Sequence, residues 1–225
     1  MSLQDRLDAI KVDWEAGRYP VKPTQHELAE MRRATAALIA DGQAQRACKA
    51  GDMAPEFTLN DSEGKPVSSR ALLRQGQLVV SFYRGIWCPY CNADLQALQA
   101  ALPEIRARGA ELVAISAQTA SNSRRSRQEN KLGFPILSDQ GNAIAEAFGI
   151  RFALPDYLIK VYQRFGIDLP TIDDDPAWVL PMPARFVIGR DGVIAYAEVN
   201  PDYTRRPEPS ELFPALDRLA AGKAA

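Results

Sequence analysis

Histidine is nearly missing from this 225-residue chain: His26 stands alone, and cysteine occurs only three times, at Cys48, Cys88 and Cys91. A single histidine, expected on the surface in the first turn of a helix, argues against a His-assisted mechanism. Three cysteines are too few, and odd in number, for a disulfide framework, so the close pair Cys88 and Cys91 reads as catalytic or metal-binding. Charge of one sign is not in excess either, with 27 basic against 28 acidic side chains. Nothing in that balance recruits nucleic acid or a membrane surface, and Arg124, Arg125 and Arg127 read as the solvated face of a helix. No stretch approaches the roughly 20 apolar residues of a membrane span, and Met1 to Leu7 lacks a basic region followed by an apolar run. The expected location is therefore the cytoplasm.

What is present is a composition of 46% hydrophobic and 24% charged residues, enough to bury a substantial core. Residues 1 to 46 read as an N-terminal helical extension. Leu3, Leu7, Ile10 and Trp14 recur at helical spacing, and Thr24 with Glu27 has the form of a capping box ahead of Leu28, Met31, Leu38 and Ile39. Gly42 is the expected stop. Such stripes need a surface, so the extension is expected to pack on the domain or on a second copy, the latter making a homodimer.

Residues 47 to 222 read as one α/β domain. Glu56 to Leu59 and Lys65 to Ser68 form a small hairpin, and Leu78 to Tyr83 is the continuous apolar run of a strand buried on both faces. Leu95, Leu98 and Leu102 mark the buried stripe of the next helix. Further strands are expected at Glu111 to Ser116, Pro135 to Ser138, Arg185 to Ile188 and Val193 to Glu198, alternating with helices. Residues 150 to 180 form an insertion with a helical piece at Tyr157 to Phe165 and an acidic loop at Asp173, Asp174 and Asp175.

The chemistry lies in Trp87-Cys88-Pro89-Tyr90-Cys91. A cysteine where a buried strand meets a helix start faces unpaired backbone N–H groups and the positive end of the helix dipole, which favours thiolate over thiol and leaves the sulfur exposed. Pro89 suits the first helical position. Cys91 lies one turn on, on the same face, so the two sulfurs can close a small, readily reduced disulfide ring. Trp87 is placed as a half-exposed apolar lid beside it. A structural zinc site is disfavoured, since Cys48 and His26 are the only other soft ligands, and no metal or cofactor is expected.

With these residues in hand, the sequence resembles the alkyl hydroperoxide reductase and thiol-specific antioxidant family, in its peroxiredoxin-like branch with a W-C-P-x-C motif. The likeness covers roughly residues 48 to 220. It rests on Gly51-Asp52-Met53-Ala54-Pro55-Glu56-Phe57-Thr58-Leu59, on Val79-Val80-Ser81-Phe82-Tyr83-Arg84-Gly85, and on Pro183-Ala184-Arg185-Phe186-Val187-Ile188 with Arg190-Asp191-Gly192. It implies a thioredoxin fold, a mixed central sheet flanked by helices, with Cys88 at the start of a long helix. Pro183 would match the cis proline that lies against the active-site disulfide and helps hold a partner chain. Cys88 would attack a hydroperoxide to become a sulfenic acid, and Cys91 would convert it to a disulfide.

The chain departs from the family pattern at Ser81, where a proline is usual, at Gly85, where a threonine or serine is usual, and at Pro183, which aligns with the second active-site arginine. Arg84 and Arg185 are the candidates to stand in beside the thiolate or peroxide. The resulting expectation is a thiol peroxidase without a cofactor, recycled by a thioredoxin- or glutaredoxin-type reductant. A thiol-disulfide oxidoreductase and a non-enzymatic redox-sensing module are the alternatives.

Overall fold

The computed structural model of this protein describes residues 1–222. Two capped helices open the chain, α1 at Leu3–Glu15 and α2 at Gln25–Asp41, followed by a single turn, α3, at Gln43–Arg46. In both long helices the N-cap hydroxyl accepts from the third helical amide while that residue's carboxylate accepts from the cap's own N–H, through Ser2 with Asp5 and Thr24 with Glu27. Gly42 ends α2 in the left-handed region, at φ 70°.

The remaining elements are β1 (Thr58–Asp61), β2 (Pro66–Ser68), α4 (Ser69–Gln75), β3 (Gln77–Phe82), α5 (Pro89–Ala107), β4 (Ala110–Ser116), α6 (Ala120–Glu129), β5 (Ile136–Ser138) and α7 (Ala143–Ala147). Then come β6 (Arg151–Ala153), α8 (Asp156–Arg164), α9 (Leu169–Asp173), β7 (Val179–Pro181), β8 (Ala184–Ile188), β9 (Ile194–Val199) and α10 (Phe213–Ala221). Seven strands form one sheet in the order β2-β1-β5-β4-β3-β8-β9. The central β3 pairs in parallel with β4 and antiparallel with β8, so the sheet is mixed, as the sequence predicts. All six residues of β3 are buried. Val79 faces the core under α5 and α10, whereas Leu78, Val80 and Phe82 face the opposite core around Phe148 and Phe186.

The inserted segment forms its own two-stranded sheet, β6 with β7, carrying α8 and α9 between its strands. Its acidic stretch is not simply a loop. Asp173 closes α9 and is buried, with burial followed by the nearby Asp175 raising its carboxyl to about 7.

The N-terminal helices lie against both parts. Leu3 and Leu7 of α1 enter the same core as Leu95 and Leu98 of α5, and Leu7 is fully buried. Glu27 of α2 receives a two-pronged ion pair from Arg164 of α8, whose Nη2 also donates to Lys22 O at 2.9 Å. At the far end of α1, the Trp14 ring meets Phe165 edge-on at 5.0 Å between centroids. The arm thus bridges the helix that follows Cys88 and the inserted α8. Because Leu7 fills core volume shared with α5, Leu7→Ala should destabilise the fold by about 2–5 kcal/mol. Urea denaturation followed by circular dichroism checks this; a loss under about 0.5 kcal/mol would mean that the arm is not part of the cooperative core.

Candidate active site

The site begins where β3 runs out. Tyr83 still bonds to the sheet, its N–H donating to Ile115 O at 3.0 Å, and the chain then turns through Arg84, Gly85, Ile86 and Trp87 into α5. Gly85 sits at φ 140°, and a Cβ there would come within 2.6 Å of Trp87 Nε1, so the turn requires glycine. Gln118, fully buried, braces the turn from β4's end: its Oε1 accepts from Ile86 N–H at 2.9 Å and its Nε2 donates to Tyr83 OH at 2.7 Å. Asn92 braces it from α5, donating to Ile86 O at 2.7 Å. Cys88 is the N-cap of α5 and Pro89 its first residue, the arrangement predicted from sequence.

Both thiols are free of disulfide bonds, and both are buried, at 1% exposure for Cys88 and none for Cys91. The expectation that the turn would expose Cys88 is corrected here. The N-terminal arm and the loop after β9 fold over the helix start, leaving Cys88 at the wall of a cleft of about 240 Å³. Trp14, Trp87, Tyr90, Phe165 and Tyr203 make that cleft aromatic. Arg84 also lines it, buried at 3% exposure, with its guanidinium 4.1 Å from the Tyr203 ring centre and 4.7 Å from that of Trp87. Its Nη2 donates to Tyr162 OH, while Nε and Nη1 have no hydrogen-bond partner among the described residues.

These surroundings split the two thiols. Burial pushes Cys88 up, but the adjoining Cys91 thiol, the Arg84 guanidinium, the Cys91 amide and Arg206 together outweigh it and bring Cys88 down to about 6. Burial pushes Cys91 well above its ordinary value, and the neighbouring Cys88 pushes it further. The two shifts run in opposite directions and favour the thiolate at Cys88 over Cys91.

Behind Cys91 lies a second charged group that the sequence did not reveal. Arg206 Nη2 approaches Cys91 Sγ at 3.7 Å, and its Nε lies 3.3 Å from Asp94 Oδ2. Asp94, one turn along α5 and 2% exposed, also takes an ion pair from Arg185. Arg206 is held in place by donating to Tyr203 O at 3.0 Å and Arg205 O at 2.5 Å.

Of the residues singled out from sequence, the structure brings Arg84 and Trp87 to the Cys88 cleft. Arg185 does not stand beside the thiolate. It is spent on Asp94 and on Pro207 O at 2.9 Å, behind α5. Pro183 lines an adjoining cavity of about 250 Å³, with Arg84, Tyr162 and Tyr203 as the partition from the cleft. Its match to a cis proline is also corrected, since all described peptide bonds are trans. Met182, fully buried, donates its N–H to Ile150 O at 2.8 Å, and Pro183 O accepts from Asn200 N at 3.0 Å. Those bonds hold the chain extended from β7 into β8. Tyr162, Tyr203, Asp94 and Arg206 were missed. Only Asp94 carried a signal, a carboxylate on the apolar stripe that runs from Cys91 through Leu95 and Leu98.

A mixed sheet with a two-cysteine motif at the start of its central helix defines a protein of the thioredoxin fold. Residues 50–197 match the model of the AhpC/TSA family, and the chain belongs to that family. It is 32% identical over 150 residues to the chloroplastic peroxiredoxin Q of Oryza sativa subsp. japonica, covering 67% of this chain and 58% of that one. To peroxiredoxin Bcp of Escherichia coli (strain K12) it is 33% identical over 103 residues, 45% of this chain and 65% of that one. The chain therefore spans less than two thirds of the length of these curated relatives. The solved structure of peroxidoxin BcpB from Mycobacterium tuberculosis shares the fold, with a TM-score of 0.60, 22% identity, and coverage of 77% of this chain and 97% of that one.

The alkylation rate of Cys88 should rise with pH through a midpoint of about 6 and level off above it, well below the roughly 8.5 of a free cysteine. Arg84→Met should move that midpoint upward, because it removes the nearest cation from the thiolate. Iodoacetamide labelling read by peptide mass measures both; a midpoint at 8.5 or above, or one unmoved by Arg84→Met, would contradict this account.

Proposed function

We propose that this protein is a thiol peroxidase that reduces hydroperoxides through Cys88. The Cys88 thiolate attacks the terminal peroxide oxygen, the O–O bond breaks, and the alcohol or water leaves with a proton while Cys88 becomes a sulfenic acid. The Cys91 thiol then attacks that sulfur, water departs, and the Cys88–Cys91 disulfide forms. Two electrons from a thioredoxin- or glutaredoxin-type dithiol restore both thiols, in a compartment reducing enough to keep such a donor charged. The observation that carries this reading is the Cys88 thiol at a helix start, in a cleft walled by a buried guanidinium with two unpartnered nitrogens, Nε and Nη1. Those donors suit the developing negative charge on a peroxide oxygen, for which the family's usual hydroxyl is missing at Gly85.

Reduction of disulfides by the same thiol pair is the second reading, favoured by the tight spacing of Cys88 and Cys91 on one helix. Mixing reduced protein separately with hydrogen peroxide and with a small disulfide separates the two. Faster oxidation by the peroxide, by about tenfold or more per mole, supports the peroxidase; the reverse order supports the reductase.

Cys88→Ser should abolish turnover. Cys91→Ser should retain the first oxidation and accumulate Cys88 as a sulfenic acid or a mixed disulfide, visible by intact mass. Equal loss of the first step in both variants would overturn the assignment of nucleophile and resolving thiol.

A further inference from the structure

The cluster behind Cys91 stands away from the cleft that admits a peroxide, and it places two guanidinium groups out of water around one carboxylate. Arg185 and Arg206 are 1% and 6% exposed, and Asp94 is 2% exposed. Glu198 stands opposite Arg185 in the β8–β9 register, where burial raises its carboxyl and Arg206 and Arg185 oppose that rise. Removing such charges from water is expensive even when they are paired and hydrogen-bonded, so a buried cluster of this kind is weak evidence for stability and invites a functional reading. Asp94 is shared between the two guanidinium groups, Glu198 has its carboxyl raised by burial, and Arg206 Nη2 points at Cys91 Sγ, 3.7 Å away. Cys88 borders the cleft; Cys91 does not.

We propose that Arg206 is a catalytic residue of the reductive half-reaction, stabilising Cys91 as the leaving thiolate and so directing the incoming reductant to Cys88. The inference rests on the Cys88–Cys91 disulfide cycle proposed above. A donor thiolate attacks Cys88 Sγ through the cleft, and the donor S–Cys88 bond forms as the Cys88–Cys91 bond breaks. The electron pair remains on Cys91 Sγ beside Arg206. The donor's second thiol, deprotonating as it attacks, closes the donor disulfide and expels Cys88 as a thiolate beside Arg84, while Cys91 takes up a proton. The donor is oxidised by two electrons and the protein reduced by two.

Two cations thus flank the two sulfurs, each making its closest approach to a different one in this reading. Arg84 sits on the cleft side with Cys88, whereas Arg206 sits behind α5 with its Nη2 on Cys91 Sγ, although the field of each reaches both sulfurs. Asp94 is the positioning residue that fixes Arg206, from the same helix that carries both cysteines.

The test uses the full chain oxidised to its disulfide. With 2-mercaptoethanol as the probe thiol, acid quenching and peptide mass, the wild-type adduct should fall on Cys88 with Cys91 free. In Arg206→Met, reduction by dithiothreitol should slow by about tenfold, the scale of a lost charge-assisted hydrogen bond, and the adduct should spread to Cys91. Arg206→Lys should recover part of both. Oxidation by hydrogen peroxide should slow less than reduction does, a split that a merely structural role would not produce. A wild-type adduct on Cys91, or equal slowing of oxidation and reduction in Arg206→Met, overturns the role of Arg206. Wild-type protein that forms no internal disulfide under peroxide overturns the cycle itself, and is recognised by its mass before any thiol is added.

Discussion

Arg84 is a buried cation with no carboxylate beside it among the described residues, and much of the site follows from that constraint. Its only described hydrogen bond runs to Tyr162 OH; otherwise it meets the faces of Trp87, Tyr162 and Tyr203. Neutral hydroxyls and ring faces compensate poorly for a desolvated guanidinium, since a cation–π contact contributes on the order of 1–2 kcal/mol against a larger cost of leaving water. The missing counter-ion is the Cys88 thiolate. The attraction is mutual: the cation lowers the thiol's proton affinity, and the thiolate makes the cation's burial tolerable. Forming a disulfide removes that counter-ion, so the same contact biases the pair towards the reduced state and makes its disulfide more oxidising than a neutral environment would.

The peculiar turn between β3 and α5 is the covalent side of the same arrangement. Where the family usually carries a hydroxyl three residues before the cysteine, this chain has Gly85, and the reason is steric. The Trp87 indole lies over the space that a Cβ would occupy. Trp87 in turn faces Arg84 and meets Tyr162 edge-on at 5.5 Å. The hydroxyl has been exchanged for an aromatic wall, and Arg84, four residues before Cys88, brings polar N–H groups to the cleft from within the same turn.

How much of this was legible in the sequence follows how local each feature is. The two capped helices, the buried strand and the thiol pair at the start of α5 depend on residues within a few positions of one another, and propensity and spacing describe them. The cage around Arg84 depends on Tyr162 from the insertion and Tyr203 from the loop after β9, separated from it by far more chain than any periodic pattern reaches. Arg206 lies in an irregular loop where no pattern says which way a side chain turns. Arg185 illustrates the opposite failure: its place two residues after Pro183, where the family's second active-site arginine is missing, suggested the thiolate, but the Asp94 carboxylate commits it to the far side of α5. Asp94 was the readable clue, because a carboxylate on a buried stripe demands a cation from elsewhere.

The N-terminal arm acquires a chemical role by this route, although none of its polar atoms bonds to a sulfur. Leu3 N–H donates to Glu208, at 2.5 Å, and Arg206 N–H donates to Gln4 Oε1 at 3.4 Å, so α1 grips the very loop that delivers Tyr203 and Arg206. Gln4 also donates to Thr204 O at 3.4 Å. At its other end, Trp14 closes the cleft against Phe165. A loop of this kind, rich in charge and lacking regular secondary structure, has little reason to stay put by itself. Docking α1 along α5 ties the loop to the helix that carries Cys88, Cys91 and Asp94, so that the two cations, the shared carboxylate and both sulfurs are referred to one rigid element. Loosening the arm would therefore relax the Arg206–Cys91 contact before it disturbed the sheet.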